Sequence, residues 1–158
     1  GQEIARDYKD KHPVLICVLT GAIFFFTDLC KKIDIKLEPD FIKCTSYHGT
    51  QSTGQLEICQ DLKVDIEGRN VIIVEDIIDS GLSLHFLREK LLQRNPASLK
   101  ICVLFAKNVK RKYDVPIDYT GFNLVDKFIV GYGFDYLNYY RNVPVVGVLK
   151  KEVYEKDV

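Results

Sequence analysis

Val71-Ile72-Ile73-Val74 runs straight into Glu75-Asp76, and no other stretch constrains the fold as tightly. Consecutive β-branched residues with no polar alternation form a strand buried on both faces, the kind a parallel sheet places between two layers of helix. The strand is expected to end at the two carboxylates. Ile77-Ile78 and then Asp79-Ser80-Gly81-Leu82-Ser83 follow, the latter a small polar turn that opens a helix. Ligands of open α/β sheets gather at the carboxyl ends of the strands. A turn at a helix N-terminus offers backbone N–H groups and hydroxyls to an anion. A sugar phosphate reconciles the acids with an anion site: its hydroxyls donate to the carboxylates, or Mg2+ binds them through water, while the turn holds the phosphate. The plainer alternative, Asp79 or Ser80 capping the helix, leaves an acidic pair on a buried strand unexplained.

The rest of the chain repeats the pattern. Val14–Leu19 is an apolar run of strand length closed by Thr20-Gly21; from Ala22 the period lengthens, with Phe26, Leu29, Cys30 and Ile33 on one helical face. Asp40–Cys44 and Gln55–Cys59 are short strand candidates, and the polar stretch from Ser46 to Gly54 is a loop between them. Ser83–Arg94 reads as a helix with Leu84, Leu87 and Leu91 on its stripe and Asn95-Pro96 as its stop. Leu99–Ala106 is another buried strand, ending at Lys107. Short aromatic strands follow at Tyr119–Phe122 and Phe128–Tyr132, with a last run at Val143–Leu149. Strands alternating with helices under right-handed crossovers give a doubly wound parallel sheet with helices on both faces.

A length of 158 residues suits one domain. Twenty-two basic residues balance twenty-two acidic ones, so no global field is available to hold nucleic acid. No apolar run is long enough to cross a bilayer, and Gly1–Asp10 is too charged for a secretory signal. Five scattered cysteines without a C-x-x-C pair read as reduced thiols, which points to the cytoplasm. Methionine is absent, so the chain is expected to start after missing residues. His12, His48 and His85 are too dispersed for a metal site or a triad and read as surface or capping residues.

The stretch Glu75–Ser83 resembles the ribose-phosphate signature of the type I phosphoribosyltransferases. Together with Leu104-Phe105-Ala106-Lys107 and the segment from Asp126 to Tyr136, it is similar to the hypoxanthine-guanine branch, with xanthine a further base in some members. The likeness runs from about Val14 to Leu149. It implies a purine-salvage transferase that moves a 5-phosphoribosyl group from 5-phosphoribosyl 1-pyrophosphate to N9 of hypoxanthine or guanine. The products would be pyrophosphate and IMP or GMP (XMP from xanthine), with Mg2+ as cofactor. It also implies a homodimer or homotetramer with no nucleic-acid or membrane partner. A small hood subdomain would be completed by the C-terminal part, its N-terminal segment missing, and residues 1–158 would form one domain.

Residue by residue, the resemblance assigns the ribose hydroxyls to Glu75 and Asp76, the purine N7 side and acid/base work to Asp79, and the 5′-phosphate to Ser80, Gly81 and Ser83. Leu82 stands where many relatives carry lysine. Thr20 and Gly21 match a pyrophosphate loop in which relatives often have Lys-Gly; a cis peptide is expected between Thr20 and Gly21. Arg141 would also meet pyrophosphate. Lys107 matches the donor to purine O6, Phe128 the stacking aromatic, and Ile129 the residue whose backbone meets the base edge. Without the resemblance, Lys107 could simply snorkel to solvent and Phe128 sit in the core. Glu75, Asp76 and Asp135 match the metal-side carboxylates, and Ser46 and Tyr47 the start of a lid loop that keeps water from the reacting ribosyl group. Gly131-x-Gly133 is too short for a dinucleotide fingerprint and is discounted. A phosphorelay receiver would carry its acidic pair on the first strand, not within five residues of the third carboxylate and far into the chain. A nucleotide-sensing regulator on the same fold would need a basic face for nucleic acid, which the zero net charge disfavours.

Overall fold

The computed structural model describes residues 1–46 and 56–154. In chain order the elements are α1 (Gln2–Asp7), β1 (Val14–Val18), α2 (Ile23–Lys32), β2 (Glu38–Ser46), β3 (Leu56–Gln60), β4 (Asn70–Ile78), α3 (Leu82–Leu92), β5 (Ser98–Lys107), β6 (Tyr119–Leu124), β7 (Ile129–Val130), β8 (Gly147–Val148) and α4 (Lys151–Tyr154). Six strands form one sheet in the order β3-β2-β1-β4-β5-β6. All pairs are parallel except β2 with the edge strand β3. A second sheet pairs β7 with β8 antiparallel and fits the expected hood.

Side-chain alternation explains why the inner strands are apolar throughout. Val14, Ile16, Val71 and Ile73 pack with Leu84, Leu87 and Leu91 of α3 on one face. Leu15, Cys17, Ile72 and Val74 pack with Ile4, Tyr8, Phe26 and Leu29 of α1, α2 and the turn after α1 on the other. Each face therefore has its own helical layer, as a doubly wound sheet requires. Burial pushes the Cys17 and Cys102 thiols up to about 12, so both are inert at neutral pH. All five cysteines are free.

Several boundaries differ from the sequence expectation. β4 does not end at the acidic pair: Ile77 and Ile78 still pair with Phe105 and Ala106, because β5, one residue longer, carries the ladder on. Glu75 and Asp76 thus lie inside the strand, and the turn begins only at Asp79. α3 starts one residue early and stops at Leu92, ahead of Asn95, which takes a positive φ of 52°. Ser46 closes β2 rather than opening a loop, since it pairs with Leu56. Tyr47 and His48 lie outside the described residues. α1 has no counterpart in the sequence reading: its charges hide a short apolar face of Ile4, and Tyr119 Oη donates to Asp7 across the fold at 2.8 Å. His85 is no cap; its half-buried ring stacks on Tyr113 with centroids 5.2 Å apart.

One buried carboxylate ties a loop to the sheet. Asp40, 4% exposed, accepts from the backbone N–H groups of Phe41, Lys63 and Val64 at 2.8, 2.8 and 2.9 Å. Asp40→Ala leaves those donors without a partner at a cost on the order of 3 kcal/mol. The melting temperature is expected to fall by about 6–12 °C; an unchanged value in thermal unfolding would show that water replaces the carboxylate freely.

Candidate active site

The site forms where β1, β4 and β5 end. Glu75 is 9% exposed, and its Oε1 accepts from the Asp76 N–H at 3.1 Å. Asp76 Oδ1 in turn accepts from the Ile77 N–H at 2.7 Å. Burial, and then the Asp76 charge, hold the Glu75 carboxyl well above the ordinary carboxylate range. Burial also raises Asp76, opposed by its own hydrogen bonds and by the Arg141 guanidinium. Two adjacent buried acids without a full complement of counter-charge are a site waiting for donors or a cation.

Two glycines set how closely the loops approach this pair. A Cβ on Gly21 would run into the Asp76 carboxylate, so only glycine lets the loop after β1 lie against it. A Cβ on Gly133, whose φ is +105°, would strike the Gly21 carbonyl oxygen. The chain therefore stacks in layers, Gly133 on Gly21 and Gly21 on Asp76. The cis peptide of this loop joins Leu19 to Thr20, not Thr20 to Gly21. Leu19 still belongs to the strand path, its N–H donating to the Ile42 carbonyl at 2.8 Å, and the chain turns immediately after it. Arg141 donates to the Gly133 carbonyl at 2.6 Å and pairs with Asp135 Oδ1 at 2.6 Å. The other Asp135 oxygen accepts from the Asn138 N–H at 2.8 Å.

The second group of charges lies at the ends of β4 and β5. Lys107 Nζ donates to Asp79 Oδ2 at 2.9 Å and to Asp126 Oδ1 at 3.0 Å. The Asp79 contact, ahead of Asp126, raises the Lys107 pKa against the opposing effect of burial. Lys107 is thus a fixed cation, not a side chain snorkelling freely, and Asp79 is not a helix cap. The N-cap of α3 is Gly81, with no side-chain cap bond. Ser80 Oγ accepts a long 3.4 Å contact from the Leu82 N–H. Residues 75–84 line a cavity of about 240 Å3 around this helix start. Tyr113 steadies the turn from outside, its N–H donating to the Ser80 carbonyl at 3.1 Å.

Phe128 is 40% exposed and lines a neighbouring cavity of about 380 Å3 with Lys107 and Asp126. Ile129 beside it is buried and pairs with Val148. The sequence reading gave no role to Asp126, Tyr113 or Gly133. A carboxylate just before the Lys127-Phe128 pair was a usable signal for the first. The discounted glycine pair held the signal for the third, as a close approach rather than a nucleotide motif. Ser83 is exposed on the first turn of α3, and of Ser46 only its backbone place in β2 is described.

Among the described residues no three His, Cys, Asp or Glu side chains converge on a closed metal site. The acidic pair nevertheless fits a hard cation that takes most of its oxygens from water and a phosphate ligand, as Mg2+ does. Asp135 has one partner on each oxygen, and each oxygen keeps a further lone pair for such a cation.

The sequence model of the phosphoribosyl transferase domain matches residues 2–137. The hypoxanthine-guanine-xanthine phosphoribosyltransferase of Tritrichomonas foetus is 58% identical over 153 residues, covering 96% of this chain and 84% of that one. The hypoxanthine-guanine phosphoribosyltransferase of Bacillus subtilis is 47% identical over 156 residues, with 98% and 87% covered. A solved hypoxanthine phosphoribosyltransferase from Staphylococcus aureus superposes with a TM-score of 0.92 at 43% identity, covering 98% of this chain and 84% of its own.

Raised carboxyl pKa values mean that the folded state binds protons more tightly than the unfolded one. Their penalty is therefore absent below the ordinary carboxylate range and grows as pH rises through that range toward the raised values. Glu75→Gln removes it near neutral pH and keeps an oxygen for the Asp76 N–H. The variant is expected to melt about 2–4 °C above the parent near neutral pH, the gap closing at pH about 4. A lower melting temperature at neutral pH would mean that the pair is already compensated.

Proposed function

This chain belongs to the phosphoribosyl transferase domain family, and we propose that it transfers a 5-phosphoribosyl group from 5-phosphoribosyl 1-pyrophosphate to N9 of hypoxanthine or guanine. The observation that carries the choice of base is the 2.9 Å pairing of Lys107 with Asp79. A 6-oxopurine bearing its proton on N7 presents a donor and an acceptor side by side on one edge, N7–H and O6. Asp79 accepts from the first and Lys107 donates to the second. Of three ammonium protons, two are on Asp79 and Asp126, which leaves one for O6. Adenine would bring its 6-amino donor against the ammonium and leave both unpaired, a mismatch worth more than one hydrogen bond.

The remaining residues divide the substrate between them. Glu75 and Asp76 accept from the ribose hydroxyls. The backbone N–H groups around Ser80, Gly81 and Ser83 hold the 5′-phosphate, helped by the α3 dipole. Thr20 and Gly21 offer backbone donors to pyrophosphate, and Arg141 adds charge there. Phe128 stacks on the base and the Ile129 backbone meets its edge. Mg2+, held by Glu75 and Asp76 with Asp135 in reach, would neutralise charge on the pyrophosphate oxygens.

In the reaction the N9 lone pair of the base forms the bond to C1′ of the ribose as the bond from C1′ to pyrophosphate breaks. The electron pair of that bond leaves with pyrophosphate. The proton on N7 passes to Asp79, so the nucleotide leaves with a neutral base. Positive charge on the ribose ring is vulnerable to water, which gives the segment after Ser46 its role as a lid. Residues 1–158 act as one domain in this reading. No described helix is long and apolar enough to cross a membrane.

A spectrophotometric screen of adenine, hypoxanthine, guanine and xanthine with the ribosyl donor and Mg2+ tests the proposal. Turnover of adenine equal to that of hypoxanthine would sink it. Lys107→Ala is expected to lower kcat/KM for hypoxanthine and guanine by about ten- to a hundredfold, one charge-assisted hydrogen bond, with the donor KM nearly unchanged. Asp79→Asn keeps an oxygen for Lys107 and costs little stability, since the pair is solvent-exposed on the Asp79 side. It should lower kcat by about 10²–10⁴-fold. Retention of near-full kcat would move the proton transfer to another group.

A further inference from the structure

We propose that Tyr154 is a positioning residue for the purine: its ring backs Phe128 and fixes the plane on which the base stacks. The inference rests on the reading of Phe128 as the stacking aromatic. Phe128 lies outside the six-stranded sheet, and a half-exposed phenyl ring turns easily about its second side-chain torsion. A stacking platform needs a fixed plane, so something must hold it. Three attachments do so. The Phe128 carbonyl accepts from the Leu149 N–H at 2.9 Å, which extends the β7–β8 pairing by one rung. Tyr136 meets the ring at 85° with centroids 5.7 Å apart. Tyr154 lies nearly parallel to it, 24° between planes and 5.3 Å between centroids.

The Tyr154 contact is not a by-product of chain proximity, since 26 residues separate the two rings in sequence (154 less 128). α4 has no fully buried residue, so a hydrophobic core of its own does not hold it there. The same short segment that supplies the Leu149 N–H supplies Tyr154, so the C-terminal turn grips Phe128 through backbone and side chain together. Lys107, Asp126, Phe128, Leu149 and Tyr154 line one cavity, which puts the contact beside the O6 donor and not at a remote surface. With Tyr154 parallel to one face of Phe128, the base would stack on the other.

Steady-state kinetics of the full chain and four variants test this. In the parent, Tyr154→Ala should raise KM for hypoxanthine and guanine by about three- to tenfold, the worth of one aromatic pair. The donor KM, the pH profile and the melting temperature should barely change, and Tyr154→Phe should restore the parent base KM. Phe128→Ala should raise the base KM on its own, and Tyr154→Ala should add little on top of it, because Tyr154 acts through Phe128. If Phe128→Ala is costly while Tyr154→Ala is neutral, the positioning role of Tyr154 is wrong and the stacking role of Phe128 stands. If Phe128→Ala leaves the base KM untouched, the stacking role itself fails and this inference with it. A lower base KM in Tyr154→Ala would mean that the ring occupies the base's place, which also overturns the proposal. Additive losses in the double variant would assign Tyr154 a direct contact instead.

Discussion

Two carboxylates buried side by side in the central strand shape everything around them. Placing Glu75 and Asp76 inside β4 costs stability, because burial disfavours their ionised forms and the Asp76 charge further disfavours that of Glu75. The fold keeps them by surrounding them with backbone, not with cations: the Asp76 and Ile77 N–H groups are their direct donors. The cationic side chain that lowers Asp76 is Arg141, and that guanidinium is itself committed to Asp135 and the Gly133 carbonyl. In the proposed reading, a hydroxyl-rich, cation-carrying ligand would relieve the cost of this under-compensated pair, and that cost in the free protein would become affinity in the complex.

The layered contact of Gly133, Gly21 and Asp76 follows from the same constraint. In the proposed reading the loop after β1 would serve a ligand held by β4, and a Cβ at position 21 would meet the Asp76 carboxylate and block that close approach. The hood segment in turn reaches the loop only because position 133 lacks a Cβ. Tyr132, between Gly131 and Gly133, donates to Asp28 of α2 at 2.8 Å and so pins the hood to the helix that follows the loop. Sheet, loop and hood are therefore registered against one another by close contacts that tolerate no insertion.

Much of this was legible in the chain. Val71–Val74 and Leu99–Ala106 announced a sheet covered on both faces, because apolar residues without alternation have no other stable place. The acidic pair and the turn at residues 79–83 stood out because their residue types make no sense as packing. Other features were hidden for physical reasons. The end of β4 depended on β5 being long enough to continue the ladder to Ile78, which is a property of a neighbour 28 residues away in sequence. α1 was masked because a six-residue helix shows one buried Ile among charges. Asp126 and Tyr113 act through partners brought together by the fold, and single-chain patterns carry no information on such pairings. The cis bond lay one residue from its expected place, since the strand path persists through the Leu19 N–H.

Thr20 and Leu82, where the resemblance implies lysine in many relatives, bear on how anions would be held. Lys107 and Arg141 already neutralise Asp79, Asp126 and Asp135 in part. Phosphates entering the site would therefore meet a set of fixed charges that is acidic on balance, since Glu75 and Asp76 add to the three aspartates against Lys107 and Arg141. In the proposed reading, attraction would come from oriented N–H groups instead: the start of α3, where Gly81 contributes no side chain, and the turn at Leu19–Gly21. Such donors act over a few ångströms and impose geometry, whereas a flexible ammonium acts as a diffuse point charge. In the proposed reading, Thr20 and Leu82 would shift the recognition of phosphate from long-range charge to short-range fit, and that fit would be set by the same glycine contacts that hold the loop against Asp76.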